Sequence, residues 1–132
     1  MNVIAVGIGG FFGSVLRYCM GQWIPVHHGF PLPTLIINLL GCLFLGWFFT
    51  ITLQKIKISP TLHLCIGTGF TGAFTTFSTF SVETVTLIKN NQVEMAILYV
   101  LLSVVGGIAL AFSGIGLARI NRSDKVKGKI AK

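Results

Sequence analysis

The sequence predicts an all-α integral membrane protein with four transmembrane helices per subunit. Three observations predict it. Mean hydropathy is +0.85. Charged residues make up only 10% of the chain, against roughly 25% in soluble domains. Those charges also leave long uncharged runs, each near the ~20 apolar residues that cross a bilayer. The spans fall at about 3–24, 32–53, 62–88 and 93–117, joined by short connections at 25–31, 54–61 and 89–92. Together they make one four-helix transmembrane domain, 1–118, with no room for a soluble one. A basic tail, 119–132, is expected to be disordered.

The first span is expected to stay in the mature chain. It is too long for a signal-peptide core and lacks a basic leader, since its first positive charge is Arg17. Gly9, Gly13, Arg17 and Gly21 recur every four residues and share a helix face. Gly9 and Gly13 form a small-residue stripe for close packing. Gly7-Ile8-Gly9-Gly10-Phe11-Phe12-Gly13 is no dinucleotide fingerprint, because Phe12 stands where glycine is required and no strand precedes it. Arg17 inside a membrane helix is costly. It either snorkels to the interface or supplies a fixed positive charge to an anion vestibule.

In the second span Thr34 and Asn38 are one turn apart, and Gly41 and Cys42 continue that face. An amide in hydrocarbon needs a partner, so Asn38 reads equally as interhelical glue or as pore lining. The third span is the anomaly. Gly67, Gly69 and Gly72 weaken its helix, and Thr75, Thr76, Ser78, Thr79 and Ser81 follow closely. A break near 72–75 frees backbone carbonyls at membrane depth, where they suit a hard cation. Phe77 and Phe80, three apart, share a face beyond the break. Their positive ring edges can greet an anion. Glu83, one turn past Thr79, has to be paired or wet. On the fourth span Tyr99, Ser103, Gly107 and Ala111 form one stripe, polar at its start and small at its end.

The net charge of +7 comes mostly from the tail and is no argument for nucleic acid. It reads instead as an orientation signal with attraction to anionic headgroups. Lys55, Lys57, Arg119, Arg122, Lys125, Lys127, Lys129 and Lys132 fall on one side and only Lys89 on the other, which places both termini in the cytoplasm. Cys19, Cys42 and Cys65 sit singly in separate spans and read as packing residues. His27, His28 and His63 read as interfacial anchors and not as ligands.

Read together, these residues resemble the Fluc/CrcB family of fluoride channels across all four spans. The signature runs Gly9-Gly10-x-x-Gly13-x-x-x-Arg17-Tyr18, then Asn38-x-x-Gly41, then Gly69-Phe70-x-Gly72-x-x-Thr75-Thr76-Phe77-Ser78-Thr79-Phe80-x-x-Glu83. The last element is long and specific. The resemblance implies an antiparallel, dual-topology dimer with two parallel fluoride pores. It implies a structural Na+ held by backbone carbonyls at the third-helix break, where Gly72 and Thr75 match. Phe77 and Phe80 match the phenylalanines along the fluoride path, and Asn38 matches the pore asparagine. Ser78, Thr79, Tyr99 and Ser103 would give the polar track, with Thr34 and Glu83 nearby and Arg17 at the vestibule. The implied activity is passive export of F− across the cell membrane by a multi-pass channel, with no enzymatic step.

One feature departs from that pattern. Dual insertion needs a weak charge bias, and here the bias is eight to one, or two to one without the tail. An oppositely biased paralogue as partner therefore stands beside a second copy of the chain. Two rival functions are a proton-coupled multidrug exporter, which typically places its carboxylate in the first helix, and a non-transporting assembly subunit.

Overall fold

In the computed structural model the described residues are 2–26, 29–54 and 56–130, with side chains described as far as Ile120. The expectations for His27, His28, Lys55 and Lys132, and for the side chains of Arg122, Lys125, Lys127 and Lys129, lie outside them. The described residues form helices and no strand. Helix α1 spans Asn2–Trp23, α2 Leu32–Gln54 and α6 Val93–Ile130. The third span is built in pieces: α3 (Pro60–His63), a π-helical stretch (Leu64–Phe70), α4 (Thr71–Phe74) and α5 (Phe77–Lys89). Helices α1, α2 and residues Val93–Ile120 of α6 are long and apolar enough to cross a membrane, with mean hydropathies of 1.6, 2.0 and 2.4.

Local chemistry explains the boundaries. Ser59 accepts from the Leu62 amide at the start of α3, and Pro60 follows where its missing N–H costs nothing. At the end of α5 the Asn91 amide donates to Ile88 O and the Gln92 amide to Leu87 O. With Asn91 at φ 58°, this is a Schellman stop, and asparagine is among the few side chains that tolerate it. Helix α6 does not stop at the expected tail but continues to Ile130. No proline occurs in this stretch and no glycine before Gly128, while lysines and arginines near a helix C-terminus favour the helix.

Packing is by close backbone approach. α1 runs parallel to the first half of the third span. A Cβ on Gly9 would collide with Cys65 O, one on Gly13 with Phe70 O, and one on Gly69 with Val6 O. α2 and α6 likewise run parallel, in contact at Gly46 against Ala111 O and Gly114 against Leu43 O. The stripes read from the sequence are therefore the contact seams. The π-helical stretch is what the sequence did not announce. The Thr71 amide and its Oγ1 both donate to Ile66 O, five residues back, the hydroxyl at 2.9 Å. α5 folds back along α6, burying Leu87, Ala96 and Tyr99 with Leu35 of α2.

Candidate functional site

The third span is broken between α4 and α5, one step later than the sequence suggested. Gly72 is still helical, whereas Thr75 (ψ 160°) and Thr76 (φ −148°, ψ 121°) are extended. Two extended residues inside a membrane helix leave backbone groups without their usual partners. Asn38 of α2 supplies both replacements. Its Oδ1 accepts from the Thr76 amide at 2.8 Å and its Nδ2 donates to Thr76 O at 3.0 Å. In an unbroken helix the Thr76 amide would close on Gly72 O; here it is diverted. Gly41, one turn after Asn38, leaves the space that the Thr75 methyl occupies.

Thr76 then restarts the helix. Its Oγ1 caps α5 by accepting from the Thr79 amide at 3.1 Å, and it also bonds Thr79 Oγ1 at 3.0 Å and Ser78 Oγ at 3.2 Å. Thr75 Oγ1 bonds back to Thr71 O at 2.9 Å. The hydroxyls that looked excessive for packing thus split into two groups. Some satisfy the break, while Ser78 and Thr79 lie on a face left exposed in the single subunit.

Phe77 and Phe80 come together at 5.8 Å between ring centroids, tilted by 38°. Their surroundings differ. Phe80 packs on Tyr99 at 5.1 Å, whereas Phe77 is 80% exposed. Between α2, the break and α6 lies a cleft of about 310 Å³, lined by Asn38, Thr75, Thr76, Phe77, Phe80 and Ser103, with Cys42 and Leu45 behind. Ser103 Oγ is buried and has no hydrogen-bond partner, so one polar group of this cleft is unsatisfied.

One helical turn further along α5, Glu83 accepts from Thr34 Oγ1 at 2.8 Å and from Tyr99 OH at 2.7 Å. Both donors are buried, and Tyr99 is 0% exposed. These two charge-assisted bonds hold the carboxylate within the subunit. Glu83 also borders a second cleft of about 260 Å³, with Gly29, Pro31, Thr86, Asn90 and Gln92 at its mouth.

The structure therefore brings Asn38, Thr75, Thr76, Phe77, Phe80 and Ser103 to one cleft, and Thr34, Glu83 and Tyr99 to one cluster. Arg17 joins neither. It is half-buried one turn beyond Gly13, and no partner holds it among the described residues. Gly72 is exposed, with nothing near the place of a Cβ. Among the described residues no group of three or more His, Cys, Asp or Glu could hold a metal ion. Sequence reasoning missed the double role of Thr76, although a threonine ahead of a helical run is itself a capping signal. It also missed Leu45 and Val104 as lining, for which apolar residues give no signal, whereas the spacing places Cys42 on the face of Asn38.

Comparison with known proteins finds clear relatives. A family model described as CrcB-like protein, Camphor Resistance (CrcB), matches residues 4–115. The chain is 47% identical over 117 residues to the fluoride-specific ion channel FluC of Oceanobacillus iheyensis, covering 89% of this chain and 91% of that one. It is 50% identical over 116 residues to FluC 1 of Bacillus cereus, covering 86% and 78%. Across 132 residues it is 43% identical to FluC 1 of Moorella thermoacetica, covering 98% and 94%.

Proposed function

The chain belongs to the CrcB-like family, and on that footing we propose that it is a fluoride channel through which F− leaves the cell passively, lowering cytoplasmic fluoride toxicity. It is a multi-pass protein of the cell membrane and not an enzyme; the relatives named above are ion channels.

The observation that carries the reading is the cleft at the break, where aromatic rings and polar groups meet at membrane depth. Fluoride is small and strongly hydrated, so its water has to be replaced by donors. Ser103 Oγ is an unengaged donor in the cleft wall. Phe77 and Phe80 offer ring edges beside it, and Ser78 and Thr79 add hydroxyls on the adjacent face. The Thr34–Glu83–Tyr99 cluster and the cleft beside it continue the polar route toward the end of α5. Arg17 serves as a fixed positive charge at the entrance.

The working unit is a dimer in which a second copy, or an oppositely biased paralogue, inserts the other way up. Support comes from one face of the subunit. Gly72, Phe77, Ser78 and Thr79 are exposed although they sit on the least lipid-like stretch of the chain. A partner laid on that face completes the pore walls.

A structural Na+ at the dimer centre fits the donors present. The diverted Thr76 amide leaves Gly72 O without its usual acceptor role, and the extended Thr75 turns its carbonyl out of the helical ladder. Neutral carbonyl oxygens suit a hard cation and not a transition metal. When bound, the ion supplies fixed positive charge that offsets part of the cost of an anion nearby. Gly72 and Thr75 from each subunit would hold it.

The direct test is efflux from vesicles containing purified protein. Fluoride should escape and chloride should not. Drug-driven proton flux would point to the exporter, and absence of any flux to the assembly subunit. Gly72→Lys tests the ion site by placing a positive charge beside it. Within one subunit a Cβ at this position meets nothing, so the subunit should fold, while sodium should be lost from the purified dimer. Sodium retained at the wild-type level would remove the carbonyl cage.

A further inference from the structure

The end of the subunit where α2 stops and α3 begins carries a different site. A cavity of about 670 Å³ is lined there by Thr52, Leu53, Lys57, Ile58, His63 and Leu64. Its walls are of two kinds. Leu53, Ile58 and Leu64 are apolar, and Leu53 is largely exposed. Lys57 is exposed on the rim, and no carboxylate among the described residues pairs with it. Thr52 Oγ1 donates to Phe48 O at 2.8 Å, leaving its lone pairs to solvent and not another donor to the cavity.

His63 is the unexplained member. Its ring is wedged between Phe48 and Phe49, at centroid distances of 5.5 and 4.9 Å. Its Nε2 is buried without a hydrogen-bond partner, a condition that in native structures signals a missing ligand, ion or water. His63 is also one of the residues that line the cavity.

Location supplies the rest. The second and third spans both end here, which puts the cavity at headgroup level. Because α6 runs parallel to α2, Arg119 emerges at this end too, whereas Lys89 lies at the other. We infer that this cavity holds the headgroup of an anionic phospholipid. The phosphate takes Lys57 and the imidazole of His63, and the first methylenes lie against Leu53, Ile58 and Leu64. A soluble phosphate would satisfy the two basic groups but leave the apolar walls unused. The inference does not rest on the channel reading.

Native mass spectrometry of the purified full-length protein tests it, with phosphatidylglycerol and phosphatidylcholine as probes. The wild type should retain phosphatidylglycerol in preference. Lys57→Gln should lower that retention about fivefold, the factor one surface lysine is worth toward an anionic leaflet. His63→Phe, which keeps an aromatic ring against Phe48 and Phe49, should also lower it. Lys89→Gln, at the opposite end, should leave it unchanged. Retention falling equally in Lys57→Gln and Lys89→Gln would reduce the effect to diffuse charge and overturn the site. So would wild-type retention in His63→Phe, or displacement of the lipid by millimolar inorganic phosphate.

Discussion

Phe77→Ile is expected to bring fluoride efflux from reconstituted vesicles down to the level of protein-free vesicles, with the protein still folded and assembled. The two halves of that outcome have separate causes. Isoleucine keeps apolar bulk but removes the aromatic ring that Phe77 contributes to the cleft lining, and with it any positive ring edge for an anion. Phe77 is 80% exposed within the subunit, so its loss takes little from the subunit's own packing. Phe80→Ile should also abolish efflux. It should lower thermal stability as well, because Phe80 packs on Tyr99 and borders the core of Leu35, Leu87 and Ala96. Losing this aromatic contact is worth about 1 kcal/mol beyond the area buried. Efflux assays with thermal melting of the same preparations separate the two. Normal fluoride efflux in Phe77→Ile would remove the aromatic lining from the proposal.

The second large effect is on Asn38→Ala. Alanine cannot reach Thr76, and Thr76 is only 9% exposed, so water does not replace the lost partners. Two bonds disappear together, one from the Thr76 amide and one to its carbonyl. Each unsatisfied buried group costs about 1–3 kcal/mol, so a loss of roughly 2–6 kcal/mol is expected, read as a drop in melting temperature. Flux should fall in parallel, since Asn38 also lines the cleft. Unchanged melting would show that the break holds itself open without α2.

Much of this was legible in the sequence for a physical reason. Membrane spans announce themselves by composition, and glycines at spacing four announce a close-packed face. Gly9 and Gly13 do meet the third span, and the Tyr99-Ser103-Gly107-Ala111 stripe does face α2. The coming together of Thr34 with Glu83 was legible only as proximity, because one sequence cannot tell which hydroxyl pairs with which carboxylate. Asn38 shows the limit more sharply. The sequence left it open between glue and pore lining; the structure shows the bonds to Thr76 and places Asn38 on the cleft at the break. Two features left little trace. The π-helical stretch depends on a five-residue bond from Thr71 that no periodicity encodes. The continuation of α6 to Ile130 runs through residues whose polarity resembles that of a tail.

The closing of the break by Asn38 has a consequence for how the molecule is made. The amide that completes the interruption lies 38 residues before the backbone it serves. Ribosomes deliver the N-terminal side first, so α2 already lies in the bilayer when Thr75 and Thr76 arrive. The complement to the gap is thus made before the gap itself. A chain with these two spans in the reverse order would have to thread bare peptide groups through lipid before their partner had been translated.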